Sequence, residues 1–116
     1  MKSVQVFGLQ RCSTCVKARK WLEANSIDAS FVDYRDHPIE ADVLSAWANK
    51  LGWGVLVNKA STSWRSLSDE QKQANTDAQW LALIAEHPTL VKRPVLIRGD
   101  DVMVGFSDSK YAEYFA

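Results

Sequence analysis

"VFGLQRCSTCVKARKWL", residues 6 to 22, decides how the rest of the chain is read. It begins as an apolar run and turns into a helical pattern, and the two cysteines of the chain, Cys12 and Cys15, stand at the change. Residues 3 to 8 (SVQVFG) predict a short buried strand. Residues 13 to 25 predict a helix, because Cys15, Ala18 and Leu22 recur at spacings of three and four and so share one face. Asn25 and Ser26 suit its end, and Ser30 to Tyr34 read as a second strand. A strand, a helix of about three turns and a strand form a βαβ crossover, whose two strands lie parallel.

Cys12 falls between the first strand and the first helix. Its sulfur can face the unpaired N–H groups of the first turn and the positive end of the helix dipole, and both favour thiolate over thiol. Arg11, Lys17, Arg19 and Lys20 add positive charge, with no acid between residues 11 and 20, although most of these side chains point to solvent. The expected pKa lies below the free value of about 8.5, which makes Cys12 a nucleophile near neutral pH. Cys15, one turn on and on the same face, is within reach for a disulfide and could resolve an adduct formed on Cys12. It lies equally on the apolar stripe, where a free cysteine is at home as a core residue. The spacing leaves both readings of Cys15 open. A zinc site needs about four ligands, and His37 and His87 stand alone outside any ligand spacing, so no metal is expected.

Farther along, Pro38 suits the first turn of a helix in which Val43, Leu44, Trp47 and Leu51 recur until Gly52. Residues 52 to 71 read as short irregular helices and loops. Thr76 and Asp77 look like caps for a helix carrying Trp80, Leu81, Leu83 and Ile84, closed by Pro88. Pro94 precedes a strand at Val95 to Ile97, Arg98 to Asp101 make a turn, Val102 to Val104 return as a hairpin partner, and residues 108 to 115 form a last helix. Trp21, Trp47 and Trp80 fall on helical apolar spacings and are expected in the core. The order is β-α-β, a helical insertion at about 38–90, then β-β-α. That is an α/β chain of the thioredoxin-like arrangement with a mixed sheet, its reaction centre expected at the end of the first strand.

Length and charge narrow the functions. At 116 residues the chain is expected to be a single domain, 1–116, with 47% hydrophobic and 24% charged residues. Fourteen basic residues balance fourteen acidic ones, so no bulk field recruits nucleic acid or a membrane surface. The opening MKSVQVFGL reads as neither a signal peptide nor a membrane span, and the expected compartment is the cytoplasm. Thiols are kept reduced there, and a close cysteine pair is more often catalytic or metal-binding than a structural staple.

"FGLQRCSTCVKARKWL", "VDYRDHPI", "LGWGVLVNKASTSWRSL", "EHPTLVKRPVLI" and "VMVGFSDSKY" stand in an order that resembles the arsenate reductase (ArsC)-related family of thioredoxin-fold proteins. The likeness is greatest to its YffB branch, with the redox regulator Spx as a cousin, and it covers essentially the whole chain. It implies that Pro94 is a cis-proline opposite the active cysteine. It also implies that Cys12 is the catalytic cysteine and that Arg93 steadies an oxyanion or thiolate with its fixed charge and forked donors. Arg11, Asn58, Arg65 and Pro94 are then candidates to contact substrate or glutathione, with "STSWR" either bordering the cleft or packing the insertion onto the core through Trp64.

Two departures qualify the resemblance. Arsenate reductases of this type place further arginines near "LVNKAS" and "VGF", where this chain has Asn58 and Gly105, so a bidentate clamp on arsenate is missing. YffB-like relatives commonly keep only the first cysteine, whereas Spx-type members carry CxxC as a redox switch. The resemblance therefore implies a thiol oxidoreductase with no bound cofactor, with glutathione as co-substrate or glutaredoxin as partner and Cys15 among its catalytic residues. The alternative is a non-enzymatic regulator that binds the RNA polymerase α subunit.

Overall fold

The computed structural model describes residues 3 to 116. Four strands form one mixed sheet in the order β2-β1-β3-β4. Strand β1 (Val4–Gly8) runs parallel to β2 (Ala29–Asp33), with Val4 opposite Ala29 and Gly8 opposite Asp33. On its other side β1 is antiparallel to β3 (Val95–Arg98), with Phe7 opposite Val95, and β3 turns back into β4 (Asp101–Val104). The parallel pair requires a crossover, which helix α1 (Ser13–Ala24) supplies. The hairpin turns at Gly99, whose φ of 62° is a backbone shape that glycine adopts without strain.

Backbone contacts divide the chain into two compact units. One comprises the residues up to Tyr34 together with Arg93–Ala116, and the other is Arg35–Lys92. The first holds the sheet, α1 and a final helix, α6 (Asp108–Tyr114). Its core joins Val4, Val6 and Leu96 of the sheet to Ala18 and Leu22 of α1 and Tyr111 of α6. The stripe predicted for α1 is the buried one: Cys15, Ala18 and Leu22 face inward. Asn25 caps the helix, with both its N–H and its side-chain amide donating to the Trp21 carbonyl, and Ser26 at φ 58° turns the chain toward β2. Trp21 is only half-buried and packs edge-on to Tyr111, so it borders this core instead of filling it.

The second unit is helical: α2 (Ala41–Leu51), α3 (Trp53–Leu56), α4 (Thr62–Arg65) and α5 (Asp77–Glu86), with single 3₁₀ turns at Gln71–Gln73 and Pro88–Leu90. The segment read as an insertion, about 38–90, lies within it. Helix α2 begins at Ala41, so Pro38 is not in its first turn. Glu40 is still extended at φ −66°, ψ 149° and is the N-cap, so Pro38 lies in the extended approach to the helix. Gly52, at φ 84°, ends α2 as expected. Thr76 caps α5 in a reciprocal capping box with Gln79. Trp47 and Trp80 are buried, and Trp53 and Trp64 both stack on Trp80 within this unit. A bridge between Val57, which follows α3 in a stretch read as irregular, and Val91 ties the middle of the unit to its end. No described helix is long and apolar enough to cross a membrane.

The four-stranded order, with β1 in the interior, the parallel crossover through α1 and the β3-β4 hairpin followed by α6, is a thioredoxin-like α/β fold.

Candidate active site

The topology brings three strand ends together. The carboxyl ends of β1 and β2 are paired at Gly8 and Asp33, and the start of β3 pairs at Val95 with Phe7. Residues just beyond those ends must therefore be neighbours: Cys12 after β1, Tyr34 after β2, and Arg93 and Pro94 before β3. The loop between β1 and α1 is fixed by hydrogen bonds from the Cys12 N–H to the Leu9 carbonyl at 3.2 Å and from the Gln10 N–H to the Asp33 carboxylate at 3.0 Å. The Tyr34 N–H donates to the Gly8 carbonyl at 3.0 Å. The Arg93–Pro94 bond is cis, as the resemblance implies.

Cys12 is the N-cap residue of α1, partly exposed, in extended backbone. Its sulfur closes no capping hydrogen bond with the first turn. As a thiolate it is a far better acceptor, and four donors face it. Partial burial by itself would raise the Cys12 pKa. Against it act the Cys15 N–H, the Arg93 guanidinium, the Cys15 thiol and the Thr14 N–H, and together they bring the pKa below the ordinary cysteine value. Three of the four donors come from the first helical turn, so the helix start does most of this work and Arg93 supplies the full charge.

Cys15 is the opposite case. It is 0% exposed, and burial, reinforced by the charge of Cys12, pushes its pKa up to about 11, against the contrary pull of the Leu9 N–H. At neutral pH it is therefore a protonated thiol that donates to Cys12. The two cysteines are free of a disulfide and chemically unequal: the thiolate is favoured at one, and the other is a buried thiol.

Tyr34 is a residue of this site that the sequence reading passed over. It is 1% exposed, and its phenolic oxygen accepts a hydrogen bond from Arg93. Burial raises its pKa, with Arg93 opposing, so it stays a neutral phenol. Burial alone would weaken the charge on Arg93. Its bonds to Tyr34 and Cys12 outweigh this, and the guanidinium is held firmly charged between them. Only the parallel pairing of β1 with β2 reveals this partner, because "VDYRDH" carries no local signal of it.

The remaining candidates divide. Pro94 is buried beside Arg93, and Arg11 is exposed one residue before Cys12. Asn58 and Arg65 belong to the helical unit, where both are engaged locally. The Asn58 side chain accepts from the Ala60 N–H at 3.0 Å, and Arg65 donates to the Ala60 carbonyl at 2.8 Å. Gly105 has φ 79° and donates to the Pro94 carbonyl at 2.9 Å, a backbone conformation that disfavours any side chain. An arginine there would be strained. Among the described residues no three His, Cys, Asp or Glu side chains gather as a metal-ligand set would.

Comparison with known proteins shows the family. A model of the ArsC family matches residues 7–114. An uncharacterised protein of Haemophilus influenzae is 36% identical, over 97% of this chain and 99% of its own. An arsenate reductase of Neisseria meningitidis is 30% identical, over 90% and 92% respectively, and the global transcriptional regulator Spx 2 of Bacillus anthracis is 23% identical, over 96% and 86%. The solved structure of the YffB (PA3664) protein superposes with a TM-score of 0.91 at 33% identity, covering 98% of this chain and all of that one. With the family model spanning nearly the whole chain, the chain belongs to the ArsC family.

Proposed function

We propose that the protein is a cytoplasmic thiol oxidoreductase that uses glutathione and acts on disulfide or mixed-disulfide substrates. The observation that carries this reading is the place of Cys12 at the start of α1 beside Arg93, where its pKa is held below the ordinary cysteine value. In the first step the Cys12 thiolate attacks a substrate disulfide. A Cys12–substrate disulfide forms, the substrate S–S bond breaks, and the leaving thiolate takes a proton from solvent. In the second step Cys15 or glutathione attacks the Cys12 sulfur, forming a Cys12–Cys15 or Cys12–glutathione disulfide and releasing the substrate thiol. Further glutathione reduces that disulfide, restores Cys12 and leaves as oxidised glutathione. Arg93, fixed in charge and direction by Tyr34, steadies the negative sulfur in both steps.

Arsenate is a weaker fit. Position 58 is an asparagine already engaged by its own loop, and position 105 is a glycine whose backbone would strain an arginine, so Arg93 would have to hold the oxyanion without the clamp. The test is turnover of glutathione with a model disulfide, measured beside arsenate reduction, for the wild type and Cys12→Ser. Disulfide turnover that depends on Cys12 supports the proposal, and its absence overturns it.

A second reading is a redox-responsive regulator that binds the RNA polymerase α subunit, with a Cys12–Cys15 disulfide as its switch. The bond from Cys15 to Cys12 and the similarity to Spx 2 favour it. A pull-down with purified polymerase that shows no oxidation-dependent binding disposes of it.

A further inference from the structure

The carboxyl end of β1 contains a feature that neither cysteine explains alone. A Cβ built on Gly8 would lie 2.5 Å from the Cys15 sulfur, closer than any real side chain allows, whereas its next neighbours, the Cys15 Cβ and a Phe31 ring carbon, lie at an ordinary 3.5 Å. The missing methyl at position 8 is thus filled by the Cys15 sulfur alone. Gly8 has no other conformational reason to be glycine. It is a regular strand residue, paired with Asp33, and is not among the positions of positive φ. Glycine inside a strand weakens it and often marks a close approach.

We infer that Gly8 is a positioning residue for the resolving step: it is the seat that holds the Cys15 sulfur against the end of β1, within bonding reach of Cys12. The inference rests on the thiol chemistry proposed above. The Leu9 N–H donates to the seated sulfur from the next residue, and the sulfur's own proton is directed at Cys12. When glutathione is bonded to Cys12, the seated sulfur attacks the Cys12 sulfur. The Cys12–Cys15 bond forms, the Cys12–glutathione bond breaks, and the proton of Cys15 passes to the departing glutathione thiolate. A methyl at position 8 displaces the sulfur and with it both the donor to the Cys12 thiolate and the attacking atom.

The experiment compares Gly8→Ala, Cys15→Ala and the double variant with the wild type, all as reduced full-length protein. Three quantities are read: the denaturant midpoint, the pH at which the Cys12 thiolate absorbance appears, and the rate at which oxidised glutathione yields an internal disulfide by mass mapping. None of these requires enzymatic turnover, so a failure of the proposed function and a failure of this inference are distinguishable. In Gly8→Ala the thiolate is expected to appear at higher pH and the internal disulfide to form about tenfold more slowly or worse. The midpoint is expected to fall in the Cys15 background and to recover in the double variant, where alanine leaves no sulfur to meet. If Gly8→Ala does not fold, a folded double variant supports the inference through the same recovery. An equal loss of stability in both backgrounds, an unfolded double variant, or a folded Gly8→Ala with unchanged thiolate titration and disulfide rate would each overturn it.

Discussion

The Tyr34 phenolic oxygen accepts a hydrogen bond from the Arg93 guanidinium, which also bonds the Cys12 sulfur. Arg93 therefore has a buried, neutral anchor on one side and a reactive atom on the other. Tyr34→Phe keeps the ring and removes the anchor. The expected outcome is a modest upward shift of the Cys12 pKa and a fall of a few-fold in thiolate reactivity, with the fold retained. Alkylation rates measured across pH check this, since a purely structural role would change stability without moving the pH midpoint.

Removing the charge has a larger effect than loosening it. In Arg93→Met the thiolate loses its one fully charged donor, and the pH profile of Cys12 alkylation is expected to move upward by more than in Tyr34→Phe. Arg93→Lys keeps a charge without the fork that reaches both Tyr34 and Cys12, so its profile should fall between wild type and Arg93→Met.

Cys15 gives the protein an alkaline weakness. Its folded pKa of about 11 lies above the ordinary value of 9.0, so the folded state holds this proton more tightly than the unfolded chain. The stability this confers is complete below pH 9 and is lost as the pH rises through about 11. Between those limits the wild type should lose on the order of 3 kcal/mol more than Cys15→Ala, which has no thiol to ionise. Denaturant unfolding of both reduced proteins across this range measures the difference.

Tyr111 presents a simpler case. It is fully buried, and its hydroxyl has no hydrogen-bond partner among the described residues. Burial, together with the nearby Cys15, raises its pKa, so the phenol is neutral and its hydroxyl only costs desolvation. Tyr111→Phe keeps the edge-on packing against Trp21 and Phe106 and is expected to stabilise the protein by about 1 kcal/mol. A denaturant midpoint that falls would contradict this.

Local patterns carried most of the fold. The α1 stripe, the Thr76 cap, the Gly52 stop and the β3-β4 hairpin each depend on neighbours a few residues apart, and each is present. Pro38 misled because proline is equally suited to the extended approach to a helix and to its first turn. The Val57–Val91 bridge escaped because pairing across the chain leaves no period in either short segment. The same division holds at the site. Cys12 and Cys15 announce themselves by spacing, which left Cys15 open between a resolving thiol and a core residue. Tyr34 joins Arg93 only through strand pairing, and Gly8 meets Cys15 only through three-dimensional packing. Neither has a signature in the chain.

The proposed chemistry depends on Cys12 being a thiolate nucleophile prepared by the start of α1 and by Arg93. Its most direct test is the ultraviolet thiolate absorbance of the reduced protein, titrated for the wild type and Cys12→Ser. The wild type should show one step below the ordinary cysteine value, missing from Cys12→Ser, and a second near pH 11 belonging to the buried thiol. A first step at or above the ordinary value, or one that survives in Cys12→Ser, would contradict the account.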